Sequence, residues 1–334
     1  MKPRFSTALK TPPPTGIVFD DIFLRHFKQV EHPESPIRLL AIEAELKEQG
    51  LFDRCTLVSP REATQYELQL VHEEGYIDSV RTACLENENP IQFHGAVMSR
   101  STFGTASAAV GASIELADSV SKGELTNGFV VVRPPGHHAE RDRYVGFCYF
   151  CTPAIVAKWL VQQKGFKRVF LLDLDYHGGN GSQHALENDE TVYFCSMHGD
   201  PRFAFPHDSG YAHERGSGKG VGFTKNIPLP KDCSEAEFLA KFREEVVPEI
   251  DRFKPEFILV SLGFDILDDD PIGRFQLTPK TISLLTDELC SLARTHCDGR
   301  LVSMLEGGYN PTAMAVAAAE HLKSLISNAT KEEL

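Results

Sequence analysis

Basic residues are in short supply in this 334-residue chain: 34 Lys and Arg stand against 47 Asp and Glu, a formal charge of −13. Binding a phosphate backbone takes clustered cations, so the deficit excludes a nucleic-acid partner from the expectations and favours a cationic ligand, although acidic bias serves solubility as well. The opening segment MKPRFSTALKTPPPTG lacks an apolar run of the length a signal peptide or membrane span requires. It reads as a loose leader over residues 1–15 of a cytoplasmic chain with no membrane partner. A disulfide framework is missing too. The eight cysteines at 55, 84, 148, 151, 195, 233, 290 and 297 fall mostly in apolar surroundings, which suits reduced thiols. There is no internal repeat, low-complexity tract or Gly/Ser-rich linker, so residues 16–330 are expected to form one domain.

Apolar residues at 42% and charged residues at 24% are ordinary for a globular protein and exclude wholesale disorder. Six short apolar runs read as buried strands, at 16–19, 128–132, 169–172, 191–195, 257–262 and 300–305. Helical spacing marks 107–119, 153–163, 235–250 and 281–295, with Ser234 and Thr278 as entry residues for the last two. Strand–helix alternation predicts an α/β fold with a mostly parallel sheet covered on both faces. The stretch 197–230, rich in Gly, His and Pro, reads as a long loop walling a site.

Polar clusters fall immediately after the apolar runs. Arg133 to His138 follows GFVVV, Asp173 to His177 ends VFLL, His198 follows YFCSM, Asp265 follows ILVSLGF, and Glu306 to Tyr309 follows LVSML. The carboxyl ends of parallel strands share one edge, where ligands bind, so these residues should converge. Asp175 and His177 alternate with Tyr176, and Asp265 arrives from another strand. Two carboxylates and an imidazole suit a catalytic zinc site, which keeps a fourth position for water, and Fe(II) or Co(II) accepts the same donors. Standing alone, an Asp-x-Asp-x-His segment is more often a solvated turn; its place after a buried strand reverses that. His137 and His138 suit acid/base work, with Asp173 or Asn180 holding an imidazole. Tyr309, after two glycines, can bring a phenol to an oxyanion.

Other readings compete. Asp173 and Asp175 fit a magnesium phosphohydrolase with a carboxylate nucleophile, which leaves the double histidine without a task. A non-catalytic module that only binds an acylated side chain is a third possibility. Cys148 and Cys151 form C-x-x-C without a thioredoxin-like context and read as packing, and the glycine-rich stretch 216–222 lacks P-loop spacing and reads as a loop.

The motifs HPESPIR from His32 to Arg38, VVVRPPGHHAE, GFCYF, LDLDYHGGNGSQ, SLGFDILDDDPIGRFQLT and LEGGY together resemble the zinc-dependent histone deacetylase and acetylpolyamine amidohydrolase superfamily, in its class II-like branch. The resemblance implies an arginase-like three-layer α/β fold with an eight-stranded parallel sheet. It implies zinc on Asp175, His177 and Asp265, an acid/base pair of His137 and His138 oriented by Asp173 and Asn180, and Tyr309 polarising the scissile carbonyl. Phe147, Phe205, Gly146 and Ile272 would line the acyl channel, Arg38 would lie beneath it, and a structural potassium ion would sit on Asp173, Asp175 and Ser196. The substrate implied is an acylated lysine in a peptide or protein, or an acetylated polyamine, and the oligomeric state is left open.

The chain departs from the family pattern at Gly178, where a second histidine is usual, and at Cys151, where asparagine is usual. His94 or Gly95 stands where protein deacetylases carry a rim aspartate. Residues 196–226 are more similar to the polyamine enzymes, yet Ile272 replaces their gatekeeping glutamate and the long insertion before Ser101 is missing. An acidic mouth of Asp268, Asp269 and Asp270 is expected to attract cationic amines.

Overall fold

Runs such as VFLLD and FILVSL carry no polar alternation, and such segments are stable only where both faces are covered. They form the middle of a sheet. The structure is a computed structural model and describes residues 14–27, 31–86, 91–93 and 96–330. Leader residues 1–13 and the rim positions His94 and Gly95 lie outside the described residues.

The strands in chain order are β1 (Thr15–Val18), β2 (Thr56–Leu57), β3 (Ile91–Phe93), β4 (Ala96–Met98), β5 (Asn127–Val130), β6 (Val169–Asp173), β7 (Val192–Gly199), β8 (Thr224–Leu229), β9 (Phe257–Leu262) and β10 (Leu301–Leu305). Eight of them make one sheet in the order β2-β1-β5-β10-β9-β6-β7-β8, and β3 and β4 form a separate antiparallel pair. Every pairing in the large sheet is parallel. Helices Thr102–Ser121 and Thr152–Lys164 pack together over β1, β5, β6 and β10, while Ile37–Glu48, Pro279–Cys297 and Pro311–Ala329 form a second group. β6, β9 and β10 are buried along their whole lengths. Each Val, Leu, Ile or Phe so covered contributes about 1.5–3 kcal/mol.

The path of the chain places the site. From β5 it crosses to β6 and β7, leaving a gap that β9 and β10 later fill. The carboxyl ends of β5, β10, β9, β6 and β7 therefore lie consecutively along one edge.

The sequence reading and the structure differ in two instructive places. The loop expected at 197–230 contains the end of β7 and all of β8, including Pro228, which pairs with His198. β8 is an edge strand, where a missing N–H is tolerated. The helix expected at 235–250 starts on a capping box formed by Ser234 and Glu237, but passes through a π turn at Phe242–Val246 before resuming at Val247–Phe253. Pro248 has no N–H to give the preceding turn, and a π turn absorbs that mismatch. No helix of the described residues is long and apolar enough to cross a membrane.

Candidate metal centre and active site

β6 ends on Asp173, and the next four residues turn across the edge of the sheet. Asp175, His177 and Asp265 meet there, each offering a ligand atom within 4.8 Å of the others. His177 Nδ1 is 3.1 Å from Asp175 Oδ1 and 3.1 Å from Asp265 Oδ2. The second oxygen of each carboxylate is fixed by backbone: Gly307 N–H donates to Asp175 Oδ2 at 2.8 Å, and Tyr176 N–H to Asp265 Oδ1 at 3.0 Å. Two glycines make the close approach possible. A methyl group on Gly263 would lie 2.3 Å from Asp175 Oδ2, and one on Gly307 would lie 2.3 Å from Asp265 Oδ2.

The electrostatics fit a cation. Both carboxylates are fully buried. Burial, reinforced by the charge on Asp175, pushes Asp265 up to about 7. Burial opposes ionisation of Asp175 as well, but His137 and His177 hold it below the ordinary carboxylate range. Against burial, the two carboxylates lift His177 to about 10. The two buried carboxylates depend on a positive neighbour, a role that the His177 imidazolium fills here and that a divalent ion bound to the same oxygen and nitrogen donors would take over as the ring gives up its proton.

The turn after β5 brings the histidine pair beside this cluster. His137 Nδ1 donates to Asp173 Oδ2 at 3.0 Å, and His138 Nδ1 lies 2.7 Å from Asn180 Oδ1. Asn180 Nδ2 must donate to the Glu140 carboxylate at 2.6 Å, so its oxygen faces His138 and accepts the ring proton. That tautomer leaves His138 Nε2 as an acceptor. The two imidazoles are driven apart in basicity. Burial opposes charge on His137, but Asp173, Asp175 and Glu306 outweigh it and raise it well above the ordinary imidazole value. Burial and then the neighbouring His137 and His177 lower His138 well below it. One cation beside one neutral base is the division that acid/base chemistry uses.

His138 and His177 open into a cleft of about 220 Å³ lined also by Gly146, Phe147, Phe205, Ile272 and Tyr309. The Phe147 ring meets Tyr309 edge-on at 5.7 Å, and Phe205 meets His138 at 5.0 Å. Arg38 lies off this wall. It is buried behind Tyr309, with Nε on the Gly308 carbonyl at 2.6 Å, Nη2 on the Glu306 carbonyl at 2.5 Å, and its guanidinium carbon 5.2 Å from the Tyr309 ring centre.

Asp173 and Ser196 are register partners on β6 and β7, but the Ser196 hydroxyl is engaged with His198 Nδ1 at 2.7 Å. An Asp173 nucleophile has no support, because its Oδ2 is held by His137 and its Oδ1 accepts the Asp175 N–H at 3.1 Å. Cys148 and Cys151 are buried free thiols, as packing requires. The acidic mouth is smaller than expected: Asp268 and Asp269 are exposed, while Asp270 turns inward.

The sequence assigned no role to several neighbours of these side chains. Glu140 and His184, the latter 2.9 Å from Glu140 Oε1, stand behind Asn180. Glu306 Oε2 accepts the N–H groups of Gly136 and His137 at 2.7 and 3.1 Å. Both glutamates lie inside motifs already noticed, so their adjacency to the histidines and to Tyr309 was the available signal.

A family described as "Histone deacetylase domain" matches residues 32–325. A "Probable deacetylase" of Archaeoglobus fulgidus is 38% identical over 304 residues, spanning 89% of this chain and 81% of that protein. "Histone deacetylase 9" of Homo sapiens is 35% identical over 359 residues, spanning 98% of this chain but 35% of the human protein. Among solved structures, "Crystal Structure of HDA15 HD domain" superposes with a TM-score of 0.89 at 34% identity, covering 96% of this chain and 90% of that one. The eight-stranded parallel sheet is thus the arginase/deacetylase fold. With its motifs, its sheet and its relatives in accord, the chain belongs to the histone deacetylase family, hydrolases that act on amide bonds.

Proposed function

We propose that residues 16–330 act as one catalytic domain that hydrolyses the amide of an acylated primary amine on an aliphatic stem, as in N-acetyl-lysine of a peptide or protein or in an acetylated polyamine. Convergence on one apolar cleft carries the reading: His138, His177 and Tyr309 all line it, and Asp175 and Asp265 lie against His177. An apolar cleft of about 220 Å³ walled by Phe147, Phe205, Ile272 and Gly146 suits a methylene chain rather than a sugar or a nucleotide, whose many polar groups would find few partners there.

Asp175, His177 and Asp265 would hold the metal, zinc in the first place, with Fe(II) or Co(II) able to use the same donors. When bound, such an ion lowers the pKa of water and polarises a carbonyl. His138 Nε2 accepts the proton of the attacking water. His137, kept cationic by Asp173, supports the charge that then forms on the pair, and the pair returns a proton to the departing amine. The Tyr309 hydroxyl donates to the oxygen that becomes negative, an interaction worth about 2.7–4 kcal/mol in comparable sites. One C–O bond forms, one C–N bond breaks, and a carboxylate and a free amine leave without an acyl-enzyme. Asp173, Asp175 and Ser196 would hold a structural potassium ion. The chain would work in the cytoplasm.

The experiment is a comparison of kcat/KM for acetyl-lysine peptides, for acetylated putrescine, cadaverine and spermidine, and for a phosphate ester. Hydrolysis of an acyl-amine that stops with a chelator and returns with zinc is expected. Full metal occupancy without amide turnover on any member would leave a binding module instead.

A further inference from the structure

The acidic run at 268–270 contains one member that does not face solvent. Asp270 is 6% exposed, and its two oxygens serve different loops. Oδ1 accepts the N–H of Ile272 at 2.8 Å and of Gly273 at 3.0 Å, closing the turn through Pro271 and setting Ile272 on the cleft wall. Oδ2 accepts the N–H of Tyr309 at 2.6 Å, reaching a loop 39 residues further along the chain. The turn packs closely on the backbone of Asp265: a methyl group on Gly273 would lie 1.6 Å from the carbonyl oxygen of Asp265, so there is no room for the two segments to draw nearer. Asn310 Nδ2 adds a tie to the Asp269 carbonyl at 3.2 Å. On the other side, Arg38 grips the carbonyls of Glu306 and Gly308 but not the N–H of Tyr309.

Hydrogen bonds to a carboxylate are shorter and about twice as strong as neutral ones. Placement matters here, because a reacting group displaced by about 1 Å can lose on the order of a hundredfold in rate. A rigid link between Tyr309 and the backbone of Asp265 would therefore govern how well the phenol meets the carbonyl oxygen.

We propose that Asp270 is a positioning residue, whose Oδ2 fixes the backbone of Tyr309 relative to Asp265 and so aims the phenol into the cleft. The inference rests on the reading of Tyr309 given above.

Asp270→Asn separates the two tasks of the side chain. Its amide oxygen is expected to stay with Ile272 and Gly273, since the reversed orientation would set an NH2 group against two N–H donors instead of one. The NH2 group then faces the Tyr309 N–H, and that bond alone is lost. The expected result with an acyl-amine substrate is a fall in kcat of about tenfold or more with KM within about twofold. Metal per chain should match the parent protein, and the variant should remain fully folded at the assay temperature although the lost buried bond lowers its melting temperature by a few degrees. In a Tyr309→Phe background the same substitution should change kcat by less than about threefold, because no hydroxyl is left to aim.

Equal proportional losses in both backgrounds, an unchanged kcat, or loss of metal together with kcat would each overturn the proposal. Should Asp270→Asn fail to fold, Asp270→Ala must show the same dependence on Tyr309. The two readings fail separately: an undiminished Tyr309→Phe enzyme removes the role of Tyr309 and this inference with it, whereas a slowed Tyr309→Phe with an additive Asp270→Asn removes the inference alone.

Discussion

His138 gives its Nδ1 proton to Asn180 Oδ1 across 2.7 Å, and Asn180 is held in that orientation by the Glu140 carboxylate. The tautomer of His138 is thus decided by a carboxylate two links along this chain of hydrogen bonds. Asn180→Ala leaves His138 free to rotate and to exchange tautomers, so kcat should fall by about tenfold or more with KM little changed, approaching the ~10²–10⁴ loss expected for His138→Ala. Steady-state kinetics on an acetyl-lysine peptide decides it, and full kcat in Asn180→Ala would refute the orientation argument.

Gly307→Ala tests the floor of the candidate metal site. Its methyl group would meet Asp265 Oδ2 at 2.3 Å and Asp175 Oδ2 at 2.6 Å, far inside contact distance, and the neighbours are carboxylates with no room to retreat. The expected outcome is a protein that keeps its sheet but binds metal at least about tenfold more weakly, by analogy with losses from disturbed ligand support. Metal analysis after dialysis against a competing chelator measures it. Wild-type metal retention would show that the carboxylates are not confined as described.

Much of this site could be read before any coordinates, for a physical reason. Strands buried on both faces exclude polar residues, so Asp173, Asp265 and Glu306 announce the sheet edge simply by ending apolar runs. Strand order is another matter. Nothing local says that β9 and β10 fill the gap between β5 and β6, and this insertion is what puts Asp265 beside His177. Long-range contacts also hid the inward turn of Asp270 and the support of Asn180 by Glu140. The helix Pro311–Ala329 escaped notice because it is alanine-rich and mostly buried, which blurs the one-sided pattern that marks a surface helix.

Glu34 lies between two guanidinium groups, 2.5 Å from Arg133 Nε and 2.9 Å from Arg38 Nη1, with all three side chains fully buried. The triad fastens the segment before the first long helix to the turn carrying His137 and to the loop carrying Tyr309. Glu34→Gln would leave two buried cations with no counter-charge, a defect that typically costs about 3–5 kcal/mol. Urea denaturation should show that loss. A variant within about 1 kcal/mol of the parent would mean that water reaches the triad.

His321 provides a test by acidity. It is buried, with Nδ1 2.7 Å from Thr286 Oγ1 and Nε2 2.6 Å from Ser303 Oγ, and burial pushes it down to about 3. The sign follows from linkage: below the ordinary imidazole value near 6.5 the unfolded chain takes up a proton that the folded chain refuses. The neutral histidine therefore costs no stability above that pH. As the pH drops toward 3, stability falls by about 1.4 kcal/mol per pH unit through this group alone. His321→Gln can keep bonds to both hydroxyls without titrating. Its deficit relative to the parent at pH 7 should therefore shrink by about 2 kcal/mol at pH 5, as measured by urea midpoints at the two pH values. A deficit of constant size would mean that His321 is protonated in the folded protein, and that the pair of hydroxyls around it gives way to let water in.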